Sequence, residues 1–184
     1  MEITLNGTTG ITNTGALSVT GITTLGALGS SVITSGTAQA STSGTSIDFT
    51  GIPTWVKRIT VMFNGVSVSG TSNPLFQIGA GSVTNTGYLG SSVSGGTSVT
   101  AANYTTGYGL LSNAAANILH GSATICFLGS NTWEFSGVFA YSNAAGCMWS
   151  AGSVSLGGTL DRVRITTVNG TDTFDAGSIN ILYE

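Results

Sequence analysis

The feature that most constrains this fold is a run of alternating apolar and polar side chains that follows Pro53. Ile59, Val61 and Phe63 occupy every second position of the run. This period is that of a β-strand with one buried face. Pro53 precedes the run, where its missing N–H removes no hydrogen bond from a ladder. Burial of each apolar side chain is worth roughly 1.5–3 kcal/mol, so we predict a core strand here.

A second run near the C-terminus has the same character, because Val163 and Ile165 alternate with Arg162 and Arg164. The two runs hold all four basic residues of the chain. We predict that they are core strands of one β-sandwich. We also expect a small ion-pair cluster between strands or subunits, formed by Lys57, Arg58, Asp161 and Arg162.

Short apolar segments separated by polar turns fill most of the remaining chain. Further strands are predicted at residues 46–49, 75–78, 104–111, 122–128, 132–141, 153–156 and 178–183. The pattern gives about nine or ten strands, and a helix is conceivable only at residues 113–118. Regular strand spacing with turns between the strands predicts an all-β fold, a β-sandwich or jelly roll, for residues 37–184.

Glycines predict where this chain turns. Asn169-Gly170 is the strongest hairpin signal, and residues 129–131 predict a second hairpin. Asn64-Gly65 is either a tight turn or a bulge inside a long strand, and Gly137 suggests a bulge that shifts the strand register. The Gly- and Ser-rich stretch 79–103 predicts a mobile or ligand-facing loop.

Residues 1–36 contain an internal repeat, in which Thr-Gly-Ile-Thr followed by Gly-Ala-Leu at residues 9–17 recurs at residues 20–28. The glycine and threonine content argues against a helix and favours short β segments joined by turns. One copy has too few apolar residues for a core, so neighbouring chains must supply the rest. We predict an intertwined, trimeric β stalk; the alternative is a flexible Gly/Thr linker. Its predicted core residues are Ile11, Leu17, Ile22 and Leu28.

The charge content excludes several function classes. Only 6% of residues are charged, against about 25% in typical soluble domains. Four basic residues and a net charge of −3 give no basic face for nucleic acid or for a membrane surface. No apolar run approaches the ~18–20 residues that span a bilayer, and the N-terminus has no secretory signal pattern.

Candidate catalytic residues are few. The single histidine, His120, could be part of a Ser-His-Asp arrangement, but no nucleophile-elbow motif accompanies it. Glu134 follows Trp133, which could raise the pKa of the carboxyl group as a glycosidase requires. A structural role is the more frequent one for both residues. We therefore predict no catalytic residue and no cofactor site.

Metal and disulfide sites have equally weak support. Asp172 and Asp175 could supply oxygens to Ca²⁺, but their spacing matches no calcium loop, and Asx hydrogen bonds in a turn explain them better. Cys126 and Cys147 are the only cysteines. Two free thiols are the simpler interpretation and a disulfide between strands is the alternative. No metal site is predicted.

Aromatic side chains could serve as platforms for carbohydrate. The candidates are Tyr88, Tyr104, Tyr108, Trp133 and Trp149. The segment from Tyr104 to Tyr108 is the most suggestive, because it is aromatic, contains glycine and resembles a loop. Packing of these rings at a sandwich edge or a subunit interface is the competing explanation.

Three stretches together resemble a known module. They are Gly-Ile-Pro-Thr-Trp-Val-Lys-Arg-Ile-Thr-Val-Met-Phe-Asn-Gly at 51–65, Thr-Gly-Tyr-Leu-Gly at 86–90, and residues 160–184 with Val-Asn-Gly-Thr-Asp-Thr-Phe-Asp-Ala-Gly-Ser-Ile-Asn-Ile. They resemble tailed-bacteriophage virion proteins of the tail-fibre and head-decoration type, over roughly residues 40–184, and the N-terminal repeats are similar to phage fibre stems. The resemblance implies a homotrimer with a structural role and often host-surface contact, and it carries no catalytic residues.

These observations lead to a functional expectation. The chain is expected to be a non-enzymatic virion surface protein, made in the host cytoplasm, whose partners are its own copies, other virion proteins and host-surface glycans. A capsid decoration or cement protein that grips the phage head through its N-terminal segment is the alternative. A glycan-active enzyme is a more distant hypothesis.

Overall fold

The structure of the protein, a computed structural model, describes residues 33–115 and 117–184. These residues form strands and turns without a helix, which confirms the predicted all-β class. Among them, no helix has the length and apolar character needed to cross a membrane. The predicted stalk residues Ile11, Leu17, Ile22 and Leu28 lie outside the described residues.

Fourteen strands are present in the described part of the chain. Their bounds are β1 Thr34–Ser35, β2 Gln39–Ala40, β3 Ile47–Thr50, β4 Arg58–Val68, β5 Pro74–Ala80, β6 Ser82–Val83, β7 Leu89–Gly95, β8 Val99–Tyr104, β9 Tyr108–Gly109, β10 Leu119–Gly129, β11 Thr132–Tyr141, β12 Cys147–Ser155, β13 Arg162–Thr167 and β14 Phe174–Tyr183.

The strands form two antiparallel sheets. The large sheet has nine strands in the order β1-β14-β4-β10-β11-β12-β7-β8, with β2 also pairing with β14. The small sheet has five strands in the order β3-β13-β5-β6, with β9 also pairing with β5. The inner faces of the two sheets form one hydrophobic core. This arrangement is a β-sandwich.

The alternating run after Pro53 becomes β4, a central strand of the large sheet. Ile59, Val61 and Phe63 are buried as predicted. The ring of Phe63 stacks on Phe76 of the small sheet with centroids 5.3 Å apart, and Phe76 also contacts Phe135 of the large sheet at 5.2 Å. These aromatic contacts join the two layers, and such pairs add about 0.5–1.5 kcal/mol beyond their burial.

Asn64-Gly65 is a bulge within β4, the second of the two alternatives that the sequence allows. The pairing of β4 with β10 shifts register here, and Gly65 has a φ of 70°. The neighbouring strand β14 is irregular at the same level, around Gly177, whose φ is 90°. Both positions therefore favour glycine.

The hairpin predicted at residues 129–131 is confirmed. Strands β10 and β11 pair antiparallel along their length, and the turn contains Ser130 and Asn131 at φ values of 49° and 58°. Two consecutive positive φ values are typical of the tight turn that matches strand twist.

The predicted bulge at Gly137 is wrong. Gly137 pairs in continuous register with Ala123 on one side and Ser150 on the other. A Cβ on Gly137 would lie 2.8 Å from the Cβ of Ala123, on the buried side of the sheet. Gly137 is therefore required by the limited space in the core. The position of a glycine in the sequence does not reveal such a requirement.

The turn at Asn169-Gly170 is present, but the predicted hairpin is wrong. Gly170 has a φ of 67°, and its N–H donates to the Thr167 carbonyl at 3.0 Å. The strands on either side belong to different sheets, since β13 lies in the small sheet and β14 in the large one. The turn carries the chain across the sandwich.

Two further segments differ from expectation. About half of the stretch 79–103, predicted as a mobile or ligand-facing loop, forms β7 and β8, which pair with each other and extend the large sheet. The conceivable helix at 113–118 is absent from the described residues there, where the Asn117 N–H donates to the Ala114 carbonyl in a turn. Ser91 of β7 lies on the outer face, whereas Ser92 and Ser94 lie on the inner face, which composition alone obscured.

The first described residues join the large sheet. Thr34 and Ser35, which the sequence division placed with the stalk, pair with Tyr183 and Leu182 of β14. The Gly36 N–H donates to the Ile181 carbonyl at 2.8 Å.

Candidate functional site

The three tyrosines predicted to face a ligand lie in the interior. Tyr88 and Tyr108 are each 1% exposed, and Tyr104 is 7% exposed. The rings of Tyr88 and Tyr108 meet edge to face with centroids 4.9 Å apart, and Tyr108 stacks on Phe135 at 4.5 Å. Their rings pack as core side chains, so they offer no platform to an external ligand.

The tyrosine hydroxyl groups hold backbone in place. The Ile78 N–H donates to the Tyr88 hydroxyl at 2.8 Å, and that hydroxyl donates to the Thr84 carbonyl at 3.0 Å. The Tyr108 hydroxyl donates to the Trp133 carbonyl at 3.1 Å. These bonds link the segment before β7 to the core.

Burial keeps these phenols neutral. Desolvation raises the pKa of Tyr104 to about 12, although a hydrogen bond from Asn73 opposes the shift. Desolvation also raises the pKa of Tyr88 and of Tyr108, and for Tyr108 the charges of Tyr88 and Glu134 act in the same direction. A phenol with a raised pKa stays protonated at neutral pH and is therefore not available as a general base.

The charged groups form separate pairs instead of the single cluster predicted. Arg164 holds Asp48 through two bonds, of 2.7 and 3.1 Å, across the small sheet. Arg162 holds its neighbour Asp161, which lowers the pKa of that carboxyl group. The remaining contacts are the ion pair of Arg58 with Glu184 and the position of the Lys57 ammonium over the Phe127 ring, 4.2 Å from its centroid.

The acidic residues near Asn169 stabilise the turn. Asp172 accepts a bond from the Asn169 side chain at 2.8 Å and one from the Ser72 N–H at 2.9 Å. These two bonds lower the pKa of Asp172, with the Asn169 bond contributing most. Asp175 accepts a hydrogen bond from Ser67. Within residues 33–115 and 117–184, no group of three His, Cys, Asp or Glu side chains could hold a metal ion.

His120 and Glu134 lie far apart on the large sheet. His120 pairs with Ala140 at one end of the hairpin, whereas Glu134 pairs with Cys126 near the other. Six residues of strand separate His120 from Cys126, which is roughly 20 Å.

Cys126 and Cys147 are free thiols, the simpler of the two interpretations.

The outer face of the large sheet carries a distinct pattern of side chains. Strand register places apolar or small residues in one row across six strands, which we call the apolar row. It consists of Met62, Ser122, Val138, Trp149, Val93 and Ala101. The adjacent row, which we call the hydroxyl row, consists of Thr60, Thr124, Ser136, Ala151, Ser91 and Asn103.

A shallow groove of about 520 Å³ lies where the two rows meet, over β10, β11, β12 and β7. Trp149 is 49% exposed and Val138 is 55% exposed. Thr124 and Ser136 share a hydrogen bond at 3.1 Å between their hydroxyl oxygens. Among the described residues that line the groove, none has an ionisable side chain. The groove can therefore offer stacking and hydroxyl hydrogen bonds but no charge.

Trp149 lies against the neighbouring strand at a glycine. A Cβ on Gly95 would stand 3.0 Å from Cζ3 of the indole and 3.4 Å from Cη2. Because Gly95 has no Cβ, the six-membered ring rests directly over β7. Trp149 was one of five aromatic candidates in the sequence, and Trp133, Tyr88, Tyr104 and Tyr108 are all buried. Trp149 is the one exposed ring among these five candidates. Its place beside Gly95 follows from the pairing of β12 with β7, which cannot be read from the sequence.

Comparison of the chain with protein-family models, with curated proteins and with solved structures found no match.

Proposed function

We propose that this chain is a non-enzymatic structural protein of a phage virion surface, which acts as a homotrimer and contributes to attachment to host-surface glycans. The observation that supports attachment most directly is the groove on the outer face of the large sheet, which is lined by uncharged side chains and in which Trp149 is exposed. Concave sites with aromatic side chains and a few polar groups are typical of ligand binding.

The arrangement of charged groups favours binding over catalysis. General acid–base chemistry needs a titratable group positioned to reach a substrate. In the described part of the chain, Asp48, Asp161 and Glu184 are in ion pairs, and Asp172 is held in a turn. Glu134 is exposed on β11 but does not line the groove. The groove itself is lined by uncharged side chains. A surface of this kind can retain a ligand without altering it.

Trimer formation would raise the strength of attachment. A shallow, open site binds a single ligand weakly, because it buries little of that ligand. Several sites on one assembly gain avidity, which can exceed the single-site affinity by roughly 10²–10⁴-fold when geometry permits simultaneous contact. The predicted trimeric stalk of residues 1–36 would supply this multivalency.

Analytical ultracentrifugation of the full chain tests the assembly. We expect a particle of three times the 18.4 kDa chain mass. Replacement of Ile11, Leu17, Ile22 and Leu28 by Ser keeps the chain length while removing the predicted stalk core, and should yield monomers with an unchanged β signal in circular dichroism. A full chain that sediments as a monomer, or an unchanged assembly in the variant, would contradict the trimeric stalk.

A capsid decoration role is the second candidate, and one end of the sandwich favours it. Trp55 is 53% exposed and Leu128 is 75% exposed near the start of β4 and the end of β10. Ile33, 46% exposed, lies near Arg58 at the same end. Exposed apolar side chains that lie together are typical of contact with another protein.

Cryo-electron microscopy of intact particles separates these candidates. Density for the sandwich on a fibre or at the tail tip supports attachment. Density with the Trp55 end against the head shell supports decoration. Absence of the protein from purified particles would contradict both.

A further inference from the structure

We infer that the Trp149 groove is a binding subsite for a neutral oligosaccharide, recognised through stacking on the indole and through hydroxyl hydrogen bonds. The inference deepens the proposed attachment function and rests on it. It assigns the ligand class and the location on the sandwich, which the proposed function leaves open.

The first requirement is a fixed aromatic platform. Trp149 is the third residue of β12 and lies between Val138 of β11 and Val93 of β7. The contact of its ring with the bare backbone at Gly95 limits how far the indole can tilt. The face of an aromatic ring is negative, and so it attracts the positive C–H groups on the apolar side of a sugar ring. A side chain that is already ordered loses little entropy on binding.

The second requirement is a set of polar groups beside the platform. Ser122, Thr124, Ser136 and Ser91 line the same groove. A hydroxyl group donates one hydrogen bond and accepts others, so it can pair with either role of a sugar hydroxyl. Thr124 and Ser136 already bond to each other, which leaves further capacity on both oxygens for a ligand.

The absence of charge defines the class of sugar. The lining residues are Ser, Thr, Gly, Ala, Val and Trp. A carboxylated or sulfated sugar would bring an anion to a place where none of the lining side chains could pair with it. A neutral sugar incurs no such cost. Binding of a neutral ligand to this groove should also be nearly independent of salt concentration.

The size of the groove fits a short chain of sugars. It crosses four strands, and adjacent strands are about 4.8 Å apart, which makes its width roughly 14 Å. Trp149 lies on the third of these strands, counted from β10. A sugar ring on the indole therefore leaves room for neighbouring rings over the hydroxyl row.

A second copy of this chain is a less suitable occupant. Stable interfaces bury about 800 Å² on each partner, and their centres are rich in apolar side chains. Here the large apolar contributors are Trp149, Val138 and Val93, and hydroxyl groups surround them. The experiment below measures both sugar binding and self-association through this face.

The experiment uses affinity electrophoresis of the full chain in gels that contain a neutral polysaccharide (dextran, galactan or glycol chitin) or the acidic polygalacturonate. The wild-type protein should be retarded by at least one neutral polymer, at both low and high salt. W149A should lower the association constant at least about tenfold, equivalent to about 1.4 kcal/mol. W55A is the matched control, since Trp55 has a similar exposure at a different place, and it should bind like the wild type.

G95A guards against a trivial loss of folding. It keeps the indole but adds the Cβ that would crowd its ring, so binding should fall about threefold or more while the melting temperature stays within a few degrees. Retention by polygalacturonate alone, or equal binding by W149A and the wild type, would overturn the subsite. A change of sedimenting mass in W149A would assign the face to a subunit contact and would overturn it as well. A protein found on virions that binds none of the polymers would overturn the subsite alone and leave the structural role intact.

Discussion

At the scale of single residues, the tyrosines show how an aromatic side chain that could bind a ligand can instead stabilise the core. The Tyr88 hydroxyl reaches backbone groups of Ile78 and Thr84 inside the sandwich. The edge of its ring meets Tyr108. Since a buried backbone group without a partner is costly, this hydroxyl has a structural role that a phenyl ring cannot replace.

Replacement of Tyr88 by Phe tests this role. The substitution removes the partner of the Ile78 N–H and of the Thr84 carbonyl while keeping the ring. We expect the free energy of unfolding to fall by about 1–3 kcal/mol in urea denaturation. Y183F is the control, because the ring of Tyr183 packs on Trp55 and is kept. Equal stabilities of Y88F and Y183F would contradict the prediction.

The raised tyrosine pKa values predict instability at alkaline pH. Tyr104 ionises at a pKa of about 12 in the fold, whereas an unfolded tyrosine ionises near 10. The folded state therefore binds more protons between these values, and stability falls as pH rises. The stabilising contribution is fully present below pH ~10 and is lost as the pH approaches about 12.

The measurement is a set of thermal melts from pH 8 to pH 12, in which tyrosine ionisation is monitored by phenolate absorbance. Buried tyrosines should ionise only together with loss of the β signal. Y104F should show a weaker dependence on pH in this range. Phenolate formation by all five tyrosines of the chain before any unfolding would show that the rings are accessible.

At the scale of elements, the two irregular sites in β4 and β14 act as a pair. Gly65 and Gly177 face each other where the registers shift. A Cβ on Gly177 would lie 2.3 Å from the Gly65 carbonyl oxygen. The pairing of β4 with β14 shifts register at this level and continues on both sides of it.

G177A should therefore destabilise the sandwich strongly. The side chain meets rigid backbone and also occupies a positive φ, and each effect costs about 1–3 kcal/mol. G51A is the matched control, since Gly51 has a φ of 72° but no atom within 4 Å of its Cβ position. The difference between the two unfolding free energies, measured in urea, isolates the steric part. A difference near zero would contradict the close approach.

The strand pattern was predictable where one face is apolar and the other polar. The alternation of Ile59, Val61 and Phe63 predicted both the strand and its buried side, and the β10–β11 hairpin followed from its turn. Stretch 79–103 was missed because its serines lie on both faces of β7, so the sequence shows no contrast between the faces. Asn169-Gly170 was misassigned because a turn signal does not state which sheet receives the next strand.

The sequence predicted that aromatic side chains could form the candidate site, but it did not predict which of them lies in the groove. Composition predicted a surface with few charges, and Trp149 was among the aromatic candidates. Its selection depends on which strands lie beside β12 and on the glycine that they place under the indole, and these are long-range facts. The more suggestive Tyr104 and Tyr108 were buried because Gly107 and Gly109 let the chain pack closely there, at Leu75 and Tyr104.

At the scale of the whole molecule, the basic residues are locked into the sheets. The Lys57 N–H donates to the Glu184 carbonyl at 2.7 Å, and the Lys57 carbonyl accepts from Phe127 at 2.8 Å. Arg58 exchanges two backbone bonds with Glu184. Arg162 and Arg164 lie in β13, between β3 and β5.

Trypsin should therefore leave the native sandwich intact. A protease needs several residues in extended, unpaired form, and the native ladders expose none of the four basic sites in this way. We expect the full-length band on a gel to persist for hours under conditions that digest the heat-denatured protein within minutes. Early fragments that end at Lys57 or Arg58 would contradict the pairing with Glu184.

The crossing turn at Asn169-Gly170 has a consequence for biosynthesis. Strand β13 is flanked by β3 and β5 in one layer, and β14 is flanked by β1 and β4 in the other. A ribosome that has translated the chain as far as Leu160 has thus released neither of the two strands that join the earlier ones. Both layers therefore stay open until β13 and β14 have left the ribosome, and a chain truncated before Leu160 lacks the strand that completes each layer.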